Sequence, residues 1–340
     1  MQMTPAEILA DPNYLPFRLD TVERRVLFVR IDLEARQQAA FLDDRMLAGN
    51  ARGAWLALDA LPPPPVSIPP LHFIFHIGHC GSTLLSRLLQ GWPGVQSLRE
   101  PLPLRTLAEA RPTLAHHGAG VSSTQWHGLL HNLLALWARP LPGIDVTTLK
   151  ATSSCNGLIE PILATAPASR AILLDMPLEP YLATLFKSPD SVRDAAAAAP
   201  ERFAFLRGAV HDELLSPNAR SLPQLCAMGW LAEQLRFSGL ARGEYASRVV
   251  RVRFDELLQQ PEPTLQRIAA HLGWSEDAVP AALASPAWGR YSKAQDHAYD
   301  SADRAFDLDE SRRRHAPHIR EGLDFVASLQ QRHPLMTDLR

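Results

Sequence analysis

The spacing of hydrophobic and polar positions switches repeatedly between two periods, and each switch marks an element. Residues 25–33, RVLFVRIDL, alternate apolar with polar and predict a half-buried strand. Residues 34–47 are helix-like, with Phe41, Leu42 and Met46 near one side. Residues 71–77 then form an apolar run (Leu71, Phe73, Ile74, Phe75, Ile77) suited to a buried strand. Behind it Leu84, Leu85, Leu88 and Leu89 recur at helical spacing. Further short strands are expected at 95–98, at 145–151 (DVTTLKA), at 170–176 (RAILLDM) and around Val249, Val250 and Val252. Between them, residues 102–140 have a helical pattern and residues 194–220 read as a mobile helical excursion. Apolar strands alternating with helices predict an α/β class with a parallel sheet.

Proline divides the pattern. Residues 61–70, LPPPPVSIPP, carry six prolines in ten positions, which locks φ and removes backbone donors, so a stiff extended connector is expected. A ligand for a proline-recognition module is the other reading of such a run, and a spacer ahead of a core strand is the simpler one. The chain thus divides into a small lead-in unit (1–60), a proline-rich linker (61–70) and a main domain (71–330).

The stretch LHFIFHIGHCGSTLLSRLLQ, residues 71–90, reads as strand, tight loop and helix N-terminus. Such a junction gathers unpaired backbone N–H groups and the positive end of a helix dipole at one point, which suits phosphate or sulfate. The nucleotide triphosphatase form G-x-x-x-x-G-K-[ST] would place Gly at His76 and Lys at Ser82. Without that Lys, ATP hydrolysis is not expected.

Two strand ends add chemistry. In a parallel α/β sheet the carboxyl ends of the strands line the ligand crevice, so the charges of Arg99 and Glu100 should emerge there. Glu100 is a candidate general base, with a solvated charge pair as the plain alternative. Lys150, at the end of the 145–151 strand, could stabilise charge on a transferring group, or be a surface lysine. His127 and His131 lie one helical turn apart, but no third ligand accompanies them, so no metal site is expected. His72 and His76 share a strand parity and should pack or hydrogen-bond.

Composition narrows the partners. With 340 residues, 46% hydrophobic and 21% charged, the chain can bury one large core. A formal net charge of −2 gives no reason to expect nucleic acid or an anionic membrane, and points to a small-molecule or peptide partner. The three cysteines, Cys80, Cys155 and Cys226, form no C-x-x-C pair, so neither a disulfide framework nor a cysteine zinc site is indicated, and a reducing cytoplasm fits. No run reaches the roughly 18 apolar residues of a membrane span, and residues 1–16 lack the basic start and apolar core of a leader, so a soluble, cytoplasmic protein is expected.

Gly78-His79-Cys80-Gly81-Ser82-Thr83-Leu84-Leu85 resembles the loop [Gly/Pro]-[Arg/Lys]-Ser-Gly-[Ser/Thr]-Thr-Leu-Leu with which sulfotransferases hold the 5′-phosphosulfate of 3′-phosphoadenosine 5′-phosphosulfate (PAPS). His79 stands where Arg or Lys is usual and Cys80 where Ser is. Residues 248–273, RVVRVRFDELLQQPEPTLQRIAAHLG, resemble a second block of that family, with Phe254 for its Tyr. The likeness runs over residues 71–325. It implies a P-loop three-layer α/β/α fold, with a parallel sheet of about five strands flanked by helices. It also implies sulfuryl transfer from PAPS, as co-substrate and without a metal, to a hydroxyl or amine acceptor. Gly78, His79, Cys80, Gly81, Ser82 and Thr83 would bind the donor, with Glu100 as base and His79 or Lys150 stabilising charge. At the family's 3′-phosphate site, Pro177 matches, Asp175 occupies the Arg position, and Ala183 or Thr184 the Ser position. Either Lys187 or Arg193 is then expected to offset Asp175, with Lys293 or Arg290 supplying charge from the C-terminal loop, or the donor is not the usual one. The alternative is a catalytically inactive domain of the same fold that binds a nucleotide or protein partner.

Overall fold

The structure, a computed structural model, describes residues 4–47, 52–115, 120–212, 215–218 and 220–336. In chain order the strands are β1 (Tyr14–Asp20), β2 (Arg25–Arg30), β3 (Gly53–Ala57), β4 (Leu71–His76), β5 (Val95–Arg99), β6 (Val146–Lys150), β7 (Ala171–Asp175), β8 (Val249–Arg253), β9 (Arg290–Tyr291) and β10 (Ala294–Ala298). The first three make an antiparallel sheet in the order β1-β2-β3. β9 and β10 form a small antiparallel pair. The remaining five make one sheet in the order β5-β6-β4-β7-β8, flanked by helices, which is the expected α/β class. β4, β5 and β7 are buried at every position, the pattern of strands covered on both faces.

By contact the chain groups into two bodies. The first comprises Met1–Phe75, Thr83–Ala171 and Ala269–Ser285; the second comprises His76–Ser82, Ile172–Ile268 and Pro286–Arg340.

In the first body, β4, β6 and β5 are parallel, with Ile74 opposite Lys150 and Arg99 opposite Lys150, so their carboxyl ends share one edge. β5 ends the sheet, and an uncovered edge strand would template non-native pairing. The lead-in covers it. Leu42 donates its backbone N–H to the Arg99 carbonyl at 2.7 Å. The Arg99 guanidinium, 1% exposed, donates to the carbonyls of Arg36, Gln37 and Ala39, which follow or end the helix Leu33–Gln38. Arg36 in turn reaches the carbonyls of Ile31 and Pro12 and the side chain of Gln96. The predicted helix over 34–47 therefore ends early, at Gln38, and a 3-10 turn at Asp44–Met46 follows. The intervening residues leave the helix to meet β5.

The second body is built on long helices. The helical pattern expected over residues 194–220 is present in their first part, where Pro189–Val210 is one continuous helix; residues 213, 214 and 219 lie outside the described ones. The alanine run favours helix intrinsically, and Ala195, Ala199, Phe203 and Leu206 are buried along it. Arg202, on the same helix, forms a buried ion pair at 2.9 Å with Glu233 of the helix Leu222–Arg242. The stretch 289–294, expected as loop, is the β9–β10 pair. Among the described residues no helix is long and apolar enough to cross a membrane.

Candidate functional site

The chain leaves β4 at His76 and enters the helix Ser82–Leu89 through five residues, three of them with positive φ: Gly78 (94°), His79 (52°) and Gly81 (78°). In a turn of this kind successive backbone N–H groups can line a concavity of the sort that suits an anion. Three contacts within the second body fix the loop. Gly78 donates its N–H to His76 Nδ1 at 3.0 Å, Ile77 donates its N–H to the Leu174 carbonyl at 3.3 Å, and Cys80 Sγ donates to that carbonyl at 3.4 Å. Cys80 is fully buried, so its side chain anchors the loop against β7. A Cβ on Gly81 would lie 2.0 Å from Phe254 Cε2, so only glycine fits at this position, on steric grounds and by its φ. His79 is a non-glycine residue in the left-handed region, a conformation that costs on the order of 1–3 kcal/mol and often marks a functional constraint. Its Nδ1 lies 3.3 Å from the Ser191 hydroxyl. Ser82 and Thr83 are both buried at the start of the helix.

In the first body Glu100 and Lys150 come together. Lys150 is 1% exposed at its side chain and ion-pairs with Glu100, which is 18% exposed. Glu100 has a φ of 55° although it precedes Pro101, and a residue before proline strongly favours extended backbone. Its N–H donates to the Lys150 carbonyl at 2.7 Å, continuing the ladder one residue past β5. The turned backbone brings the carboxylate to Lys150 instead of to solvent. Burial, and secondarily the Glu100 charge, push the Cys155 thiol up to about 12, so it stays protonated and is no nucleophile. Phe41 of the lead-in lies against Lys150, its ring centroid 5.5 Å from Nζ, and carries the Arg45 guanidinium at 3.9 Å. Nothing in the pattern around Phe41 signals this contact.

The expected nucleotide-side residues are arranged differently from the reading above. Asp175 is offset by Arg251 of β8, at 2.7 Å, and the same guanidinium nitrogen donates to Gln234 Oε1 at 2.6 Å. Burial raises the Asp175 pKa, while Arg251 acts against that rise. Lys187 is committed to Asp307 and Tyr299, Arg193 to Asp190, and the Arg290 guanidinium to the Gln295 carbonyl. The signal for Arg251 was present: an arginine inside the apolar strand VVRVR needs a partner. The Thr184 hydroxyl donates to the Pro180 carbonyl at 2.7 Å, one turn back on its own helix. Lys293 is exposed in the turn between β9 and β10.

No family model and no curated protein matches the chain. Its fold is similar to those of solved sulfotransferases. A sulfotransferase domain from the curacin biosynthetic pathway is 15% identical with a TM-score of 0.42, over 74% of this chain and 98% of that one. A Mycobacterium tuberculosis sulfotransferase is 15% identical at 0.39, over 74% and 78%. A mouse sulfotransferase complexed with PAP is 10% identical at 0.39, over 79% and 88%. At these identities and TM-scores, any functional argument is carried by the residues of this chain alone.

Proposed function

We propose that this chain is a sulfotransferase that moves a sulfuryl group from PAPS to a hydroxyl or amine of a small-molecule or peptide acceptor. The observation that carries the reading is the loop His76–Ser82. It joins a buried strand to a helix N-terminus through positive-φ residues, and it bears the Gly-x-x-Gly-Ser-Thr-Leu-Leu pattern without a triphosphatase lysine. In this reading the backbone N–H groups of His79, Cys80 and Gly81 and the hydroxyls of Ser82 and Thr83 bind the 5′-phosphosulfate, Gly78 turns the backbone so that it lies close to the group, and Thr184 and Lys293 stand toward the nucleotide. Glu100 takes the acceptor proton as the acceptor atom attacks sulfur. The bond from sulfur to the bridging oxygen breaks, and 3′-phosphoadenosine 5′-phosphate (PAP) leaves with the electron pair. Lys150, relieved of its carboxylate partner as Glu100 is protonated, or a protonated His79, is available for the charge on that oxygen.

Donor binding tests the reading first. PAP at about 100-fold above its dissociation constant should stabilise the fold by about 2.7 kcal/mol, read as a rise in Tm. No rise at millimolar PAP removes PAPS as donor. Transfer of sulfur-35 from labelled PAPS to phenol, alcohol and amine panels then tests turnover. A second reading, an inactive domain that binds a nucleotide or protein partner, is favoured by the carboxylate of Asp175 where the family carries arginine. It predicts a PAP-induced rise in Tm with no labelled product on any acceptor.

A further inference from the structure

Arg304 lies in the first turn of the helix Ser301–Arg314, where the helix dipole disfavours a cation. Its guanidinium carbon stands 4.5 Å from the centroid of the Phe254 ring, the same ring that packs on the loop at Gly81. Among the described residues the guanidinium makes no ion pair and no side-chain hydrogen bond. The carboxylates around it are committed elsewhere. Asp255 pairs with Arg253, Asp307 with Lys187 and Tyr299, and Asp300 with Asp303 closes the capping box of the helix. Burial lowers the Arg304 pKa, while Tyr299, Cys80 of the loop and Asp255 favour its charged form. A half-buried arginine, held over an aromatic ring, set against its own helix dipole and left without an anion, has the chemistry of an oxyanion ligand.

We propose that Arg304 is the cation that completes the anion site of the loop His76–Ser82, binding the phosphate or phosphosulfate group at the 5′ end of the ligand. The proposal rests on the loop being the anion cradle of the reading above. In this arrangement the helix Ser301–Arg314 supplies the fixed charge that position 79, a histidine, lacks. Phe254 links the two: its ring seats the glycine of the loop and carries the guanidinium.

Calorimetric titration of the full chain with PAP, AMP and inorganic pyrophosphate tests this in wild type, Arg304→Gln, Arg304→Lys and Phe254→Leu. Arg304→Gln should weaken all three ligands about tenfold or more, Arg304→Lys should recover part of the loss, and Phe254→Leu should weaken binding less than Arg304→Gln. AMP is the critical probe because it lacks the 3′-phosphate. A loss confined to PAP would put Arg304 at the 3′ end and overturn the proposal. Unchanged PAP and AMP affinities in Arg304→Gln would also overturn it while leaving the donor reading intact. Pyrophosphate binding that depends on Arg304, in a wild type that does not bind PAP, would uphold the cation and reject the donor. Binding of none of the three by wild type rejects both. If Arg304→Gln does not fold, Arg304→Lys decides: affinities equal to wild type would overturn the proposal, since the lysine cannot reproduce a planar, bidentate contact.

Discussion

Glu100 and Lys150 carry opposite charges in a place where neither is well hydrated, and that determines how each responds to change. Removing one partner leaves the other unpaired and poorly solvated, whereas removing both removes the problem. Lys150→Met and Glu100→Gln should each destabilise the fold by about 3 kcal/mol, and the double variant by clearly less than the sum. Chemical denaturation of the four proteins measures the coupling; additive losses would show that the pair is not a unit. His72 makes the acid limit of stability local. It is 8% exposed, its Nδ1 accepts the Arg170 N–H at 3.1 Å, and burial, with Arg170 and His271 nearby, pulls its pKa down to about 4. The unfolded chain binds that proton near pH 6.5, so the stability of the neutral form is complete above 6.5 and is lost as pH falls toward 4. A depression of this size corresponds to about 3 kcal/mol. Urea midpoints between pH 7 and 4 should therefore fall, and the fall should be shallower in His72→Asn. His79 supplies the matching test at the loop. If it meets the ligand as a cation, PAP affinity should weaken as pH rises through its pKa, and His79→Arg should hold its affinity at alkaline pH. Identical profiles would take His79 out of the charge assignment.

At the scale of elements, the edge of the sheet explains what the lead-in contributes to the first body. β5 would be an open edge, and the segment after the helix Leu33–Gln38 closes it through the Arg99 guanidinium and the Leu42 N–H. That places Phe41 against Lys150 and couples the lead-in to the candidate base. Arg99→Met should cost about 3 kcal/mol through the lost charged hydrogen bonds, and limited proteolysis should then cut within 33–47 before the rest of the body. Cleavage at the wild-type rate would mean that the segment is held by its apolar contacts alone. The loop shows the same principle on a smaller scale: a buried strand, a fully buried Cys80 and the Phe254 ring over Gly81 hold a strained backbone that the five loop residues by themselves would not adopt.

For the molecule as a whole, the division between local and distant information is clear in particular residues. The strand at 71–76, the helix behind it, the strands at 95–99, 146–150, 171–175 and 249–253, and the glycine loop could all be read from residue order, because periodicity and turn chemistry act over a few neighbouring positions. The same short range explains the misreading at 34–47 and why the partner of the helix at 189–210 could not be read. A weak apolar stripe does not reveal that the chain must leave its helix to cover β5, and an alanine-rich segment does not reveal the helix it will pack on. Residue order thus settled that a parallel α/β sheet carries a glycine loop between a strand end and a helix N-terminus. Only the tertiary structure decided which charges attend the candidate sites. Arg251 meets Asp175 across 76 positions, Glu100 meets Lys150 across 50, and Arg304 reaches the ring that seats Gly81 from the helix Ser301–Arg314. Such pairings are chosen when distant strands and helices close on one another and buried charges must find partners, a condition imposed by the folded chain as a whole.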